Sequence, residues 1–143
     1  MYINSALIQW KDSFNTGYQR VDNQHKELVK LINELYDIQN KDGTNDSLRR
    51  VFKKLFDYTV NHFSMEEKLM KEYDYDNYID HKEEHMKFIT KIHELKEEFL
   101  TGNSMVQLNI LNFLKEWLLT HIIGTDKVTF IQINKKIFPE KYL

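Results

Sequence analysis

The chain has 143 residues, within the size of one ordinary domain and long enough for a sizeable apolar core. Its 20 basic and 22 acidic residues are interspersed, giving a formal net charge of -2 without a basic block, which argues against nucleic acid as a partner. There is no cysteine, so disulfides, thiolate zinc sites, iron–sulfur clusters and a cysteine nucleophile are excluded, and any metal must take nitrogen and oxygen ligands.

Residues 1–20, with Trp10, Phe14, Gly17 and Tyr18, read as an extended arm. The stretch from Met1 to Lys11 has no basic n-region, long apolar run or small-residue cleavage site, and no uncharged stretch approaches the roughly 20 residues that span a bilayer. A soluble, cytoplasmic protein with no membrane partner is expected. Asp22 then stands as an N-cap for a helix over about 22–40, whose Leu28, Leu31, Ile32, Leu35 and Ile38 recur at three- and four-residue steps. Lys41, Asp42, Gly43 and Thr44 form a polar turn. Thr44, Asn45 or Asp46 caps a second helix over about 45–72, carrying Leu48, Val51, Phe52, Leu55, Phe56, Thr59, Phe63, Leu69 and Met70. Tyr73 to Asn77 breaks the pattern. A third helix over about 77–101 follows the run of Ile79, Met86, Ile89, Ile92, Leu95 and Phe99 and stops at Gly102. Asn103 or Ser104 caps a fourth over about 104–123, whose Val106, Ile110, Leu111, Leu114, Trp117, Leu118 and Ile122 run up to Gly124. Residues 127–143 read as a short amphipathic tail.

With 41% apolar residues, four glycines and one proline, these elements predict an all-α fold. Four amphipathic helices joined by short turns suit an up-down-up-down antiparallel four-helix bundle, with residues 1–143 as a single domain.

The six histidines lie at positions 25, 62, 81, 85, 93 and 121. His62 and Glu66 stand four apart on the second helix, and His81 and His85 stand four apart on the third. Four steps advance about 400°, so each pair projects from one face one turn apart, as two ligands of a shared metal site require. His25 opens the first helix and His121 closes the fourth, and antiparallel neighbours bring all five to one end of the bundle. A histidine pair at this spacing is usually a solvated face. Five imidazoles at one level are another matter, because burying them without partners costs several kcal/mol, and a shared metal cluster explains them. His93 is left out as structural or exposed. Asp126 follows His121 by five residues, about 500° of regular helix, and would point elsewhere; Gly124 would have to end or unwind the helix to turn it back, and otherwise Asp126 is a surface residue. Leu118, Trp117, Ile122 and Phe63 are candidates for a dry pocket, with plain bundle core as their other reading. Glu67 reads as a solvated glutamate more than as a group orienting a ligand, and Tyr73, Tyr75 and Tyr78 as packing at a helix junction.

Together, His25 after Asp22, Asn23 and Gln24, the run His62 to Glu66, the pair His81 and His85, and the run His121 to Asp126 resemble the hemerythrins, particularly the bacterial ones, over about Trp10 to Asp126. Leu118, one turn before His121, resembles the pocket leucine of that family. The resemblance implies two iron ions as cofactor, with His81, His85 and His121 on one, His25 and His62 on the other, and Glu66 and Asp126 bridging both. It implies reversible binding of dioxygen on the side of His25 and His62, where one iron lacks a ligand. A carrier or store without catalytic residues is the expected role, with an unidentified protein receiving the oxygen. The other readings are an oxygen or redox sensor, or an enzyme acting on peroxide, nitric oxide or ferrous iron. No histidine has a glutamate three residues before it, which argues against a ferritin-like site, and no His-Glu-x-x-His exists for zinc hydrolysis.

Overall fold

The computed structural model describes residues 7–40 and 45–142. The described chain is helical: α1 (Gln19–Asn40), α2 (Asn45–Glu72), α3 (Tyr78–Leu100), α4 (Val106–Trp117), a π-helical segment (Leu118–Asp126) and α5 (Lys127–Ile137). α1 packs on α2 and α4, α2 on α3, and α3 on α4, so the four helices close a ring in up-down-up-down order. The expected turn at Lys41, Asp42, Gly43 and Thr44, including the Thr44 cap, falls outside the described residues. Among the described residues, no helix is long and apolar enough to cross a membrane.

The interior divides into two apolar layers. The larger contains Leu28, Ile32, Leu35, Leu48, Leu55, Phe63, Phe88, Ile92, Leu95, Ile110, Leu114, Trp117, Leu118 and Ile122. The smaller joins Val21, Met65, Leu69 and Met70 to Phe130 and Ile133 of α5, with Tyr73, Tyr75 and Tyr78 packed on its edge. Each fully buried aliphatic or aromatic side chain stabilises the fold by about 1.5–3 kcal/mol. All the apolar positions expected to face inward on α2 and α4 are buried except Phe56, which is half-buried. On α3 the expectation holds for Ile92 and Leu95, which are buried, and for Phe99, half-buried against the larger layer, but Ile79, Met86 and Ile89 are exposed, and His81, His85 and Phe88 share the inward face.

Several boundaries differ from the sequence reading for identifiable reasons. Asp22 is not the N-cap of α1 but lies in its first turn, where its carboxylate accepts from Thr16 N (2.7 Å), Thr16 Oγ1 (2.8 Å) and Gly17 N (3.2 Å). That carboxylate folds the arm back, and the arm is not simply extended: Asp12–Phe14 form a 3-10 turn, and Asn33 clasps the main chain of Ile8 on both sides. Gly17 adopts φ +86°, and a Cβ there would meet Asn134 Nδ2 at 3.0 Å. α2 and α3 both end in Schellman motifs. Asp74, at φ 49°, holds the left-handed position after α2, with Tyr75 N donating to Met70 O. After α3, Gly102 at φ 82° does the same, with Asn103 N donating to Glu98 O. Asn103 then accepts from Met105 N, so α4 starts at Val106, two residues later than expected.

The largest difference is at Gly124. The helix does not stop there but is locally underwound, as π hydrogen bonding requires. It widens from α4 into the π segment and runs on into α5, so the presumed tail is a helix with Thr129, Phe130, Ile133 and Asn134 buried. Hydrogen bonds from each residue to the fifth one along place residues five apart about one turn from each other, and His121 and Asp126 therefore share a face. Gly124 takes no positive φ, and a Cβ at that position would meet nothing within 4 Å. Gly124→Ala is expected to stabilise the protein by about 0.5–1 kcal/mol through the unfolded chain, seen as a higher thermal midpoint with metal uptake unchanged. Loss of metal uptake in that variant would restore the glycine hinge.

Candidate metal centre

Between the two apolar layers lie His25, His62, Glu66, His81, His85, His121 and Asp126, every one of them buried. His25 comes from the second turn of α1, His62 and Glu66 from α2, His81 and His85 from the start of α3, and His121 and Asp126 from the π segment. Their ligand atoms fall into two sets, each within 4.8 Å: Glu66, His81, His85, His121 and Asp126 in one, and His25, His62, Glu66 and Asp126 in the other. Glu66 and Asp126 belong to both. His93 lies outside, exposed on α3 against Phe56.

All five imidazoles turn Nε2 inward. His25 Nε2 lies 2.9 Å from Asp126 Oδ2, His62 Nε2 3.0 Å from Glu66 Oε2, His85 Nε2 3.0 Å from Glu66 Oε1, and His81 and His121 Nε2 2.9 and 3.2 Å from Asp126 Oδ1. Most of these approaches are close without being aligned as hydrogen bonds. Nε2 of His25, His81 and His121, Oε2 of Glu66 and both oxygens of Asp126 are buried with no hydrogen-bond partner. A native interior rarely leaves so many polar atoms orphaned in one place. Lone pairs from nitrogen and oxygen donors converging on shared space, with two carboxylates common to both sets, fit a pair of cations.

The outer nitrogens are held as firmly as metal-binding imidazoles require. Gln24 Oε1 lies 2.6 Å from His62 Nδ1, Thr129 Oγ1 2.8 Å from His81 Nδ1, Glu67 Oε2 2.9 Å from His85 Nδ1, and Glu84 Oε1 2.8 Å from His121 Nδ1. Thr125 Oγ1 donates to the same Glu84 oxygen. Glu67 is therefore not simply solvated. Gln24, Glu84 and Thr129 escaped the sequence reading, although Gln24 and Glu84 each sit beside a histidine of the cluster. Among these five imidazoles only His25 has an unpaired Nδ1.

Aromatic rings press on the imidazoles. Phe63 stacks on His85 at 3.9 Å, Trp117 on His121 at 3.9 Å, and Tyr58 on His62 at 5.0 Å. Phe63 and Trp117 thus flank the three-histidine set, while Leu118 and Ile122 are buried in the larger apolar layer. A groove of about 510 Å³ between α1 and α2 reaches Gln24, Tyr58 and His62 on the two-histidine side. A second, of about 460 Å³, reaches His81 and Glu84.

Charge reinforces the arrangement. Burial alone would raise both inner carboxyl groups, but His62, His25 and His81 around Glu66, and His121 and His25 around Asp126, hold them well below the usual carboxylate range. Burial likewise disfavours the imidazolium of His25, His81 and His121, yet contacts with Asp126 and Glu66 outweigh it and hold each at about 9 instead of 6.5. The His121 ring in turn holds the Glu84 carboxyl low.

Residues 16–132 match the family described as the hemerythrin HHE cation binding domain. The chain is 36% identical over 121 residues to a bacteriohemerythrin of Pseudomonas aeruginosa, spanning 85% of this chain and 78% of that protein. It is 32% identical over 124 residues to a bacteriohemerythrin of Methylococcus capsulatus, spanning 86% and 94%. Wild-type hemerythrin superposes with a TM-score of 0.78 at 31% identity, covering 86% of this chain and 95% of that one. A leucine-to-tyrosine variant of hemerythrin superposes with 0.82 at 29% identity, covering 90% and 98%.

In the metal-free protein, imidazoles raised to about 9 contribute stability that is complete below pH 6.5 and lost as pH climbs through about 9. Metal ions require neutral imidazoles and displace those protons. The thermal midpoint of the metal-free chain should therefore fall between pH 7 and pH 10, and adding metal at neutral pH should release protons into weakly buffered solution. A midpoint independent of pH in that window would contradict the charge pairing.

Proposed function

The chain belongs to the hemerythrin family, and on that premise we propose that it binds dioxygen reversibly at a pair of iron ions, as a carrier or store without catalytic turnover. The observation that carries the reading is the unequal sharing of the cluster: three histidines in one set, two in the other, with Glu66 and Asp126 common to both. His81, His85 and His121 would hold one iron, His25 and His62 the second, and the two carboxylates would bridge them. Imidazole-rich donors of this kind suit iron. When bound, the iron pair supplies two electrons to dioxygen and recovers them on release.

The protein's part is to keep that exchange reversible. Gln24, Thr129, Glu67 and Glu84 fix four rings through Nδ1, so each Nε2 stays aimed inward without having to reorient. Phe63, Trp117, Leu118 and Ile122 supply dry walls that limit water and proton access to the centre, the condition under which oxygen leaves as it arrived. The shortfall of nitrogen donors on the side of His25 and His62 favours that side for dioxygen, and the groove between α1 and α2 supplies an approach to it.

Anaerobic loading with ferrous iron should give two irons per chain, and a visible charge-transfer band should then appear with oxygen and vanish under argon over repeated cycles. One iron per chain, or oxidation in a single irreversible step, would defeat the carrier reading. His62→Ala should lose one of the two irons while its helical circular dichroism survives. If that variant retains both irons, the division of ligands is wrong.

A further inference from the structure

Tyr58 lies one helical turn before His62 on the same face of α2, its ring nearly parallel to the imidazole at 5.0 Å and 16°. The residue is 8% exposed, and it lines the groove that reaches the two-histidine side together with Gln24 and His62. Its hydroxyl is buried and has no hydrogen-bond partner. The charged groups acting on it are Glu66, Asp126 and Glu27. Gln24, on the same groove wall, has its Oε1 against His62 Nδ1 and not against the phenol.

Packing does not account for a tyrosine here. Phenylalanine would keep the stack on His62 and the burial while removing a polar group that loses its water without gaining a partner. Buried polar groups left unsatisfied ask for an explanation, and one at the mouth of a proposed ligand side suggests a bond made only when the ligand is present. Of the aromatic rings stacked on the cluster's imidazoles, those on the three-histidine set, Phe63 and Trp117, meet His85 and His121, whereas the phenol stands on the two-histidine side.

We propose that the Tyr58 hydroxyl donates a hydrogen bond to the small, electron-rich ligand taken up on the side of His25 and His62, and so sets its affinity and lifetime. The inference rests on the iron-pair reading above. A phenol O–H is a neutral donor, and in a dry interior such a bond to a ligand carrying negative charge is stronger than in water. The fold gives this donor no partner of the protein's own, and a bound ligand would satisfy it.

The test compares the wild-type chain with Tyr58→Phe, using azide on the oxidised, iron-loaded protein as the probe. Both proteins should hold two irons per chain. Azide should bind Tyr58→Phe about tenfold to a hundredfold more weakly, the loss expected for one hydrogen bond to a charged group. The azide stretching band should shift in heavy water for the wild type and not for the variant. Without metal, the variant's thermal midpoint should equal or exceed the wild type's, because an orphaned hydroxyl has been removed; a purely structural tyrosine would lower it. Normal iron loading with unchanged azide affinity and a retained isotope shift overturns the inference and spares the iron reading. A wild-type chain that fails to take up two irons overturns both.

Discussion

Two carboxylates share the buried middle of this bundle. Glu66 and Asp126 are fully buried, and like charges so placed repel each other across a low-dielectric interior. Everything around them answers that problem. Five imidazoles surround the pair with Nε2 inward, and apolar layers on either side keep solvent out. Even so, the balance stays incomplete within the protein, since six of the inward-facing atoms have no hydrogen-bond partner. A site that satisfies its own charge would have aligned those contacts. This one leaves lone pairs converging on common space, which is the arrangement two cations complete.

Holding the rings in that posture depends on a relay between helices. The residue beside a cluster member on one helix bonds the imidazole on the next: Gln24 beside His25 reaches His62, Glu67 beside Glu66 reaches His85, and Glu84 beside His85 reaches His121. Neighbouring residues on a helix diverge by about 100°, so one side chain can enter the centre while the next crosses to the adjacent helix. The same contacts that orient the ligands thereby stitch α1 to α2, α2 to α3 and α3 to the π segment. α5 joins through Thr129 on His81, which is why the last helix is part of the site and not an appendage.

The sequence carried the bundle and the histidine level well, and the reason is periodicity. On α2 and α4 the buried face is apolar and its three- and four-residue recurrence points inward. On α3 the same rule held only in the later part, at Ile92 and Leu95. His81 and His85 occupy inward positions and count as polar, so the exposed Ile79, Met86 and Ile89 supplied a false pattern. Asp126 was found from its company, but its route was not legible. A switch from α to π hydrogen bonding over nine residues leaves no periodic signal of its own, and Gly124, the visible cue, takes no positive φ. Gln24 and Glu84 were missed, and Glu67 read as solvated, because a glutamate or glutamine on a helix surface looks solvated until the neighbouring helix is in place.

The two halves of the centre are built unequally beyond their histidine count. Behind the three-histidine set stand two carboxylates, Glu67 and Glu84, and a hydroxyl. Behind the other stand one amide on His62 and nothing on His25. A carboxylate accepting from Nδ1 makes an imidazole a stronger donor than an amide does, so the three-histidine side is both fuller and more electron-rich. Stacked Phe63 and Trp117 further immobilise that side. The two-histidine side combines fewer and weaker donors with a groove at its edge. On the function proposed above, the first half would keep its ion and the second would stay short of a ligand within reach of a small molecule.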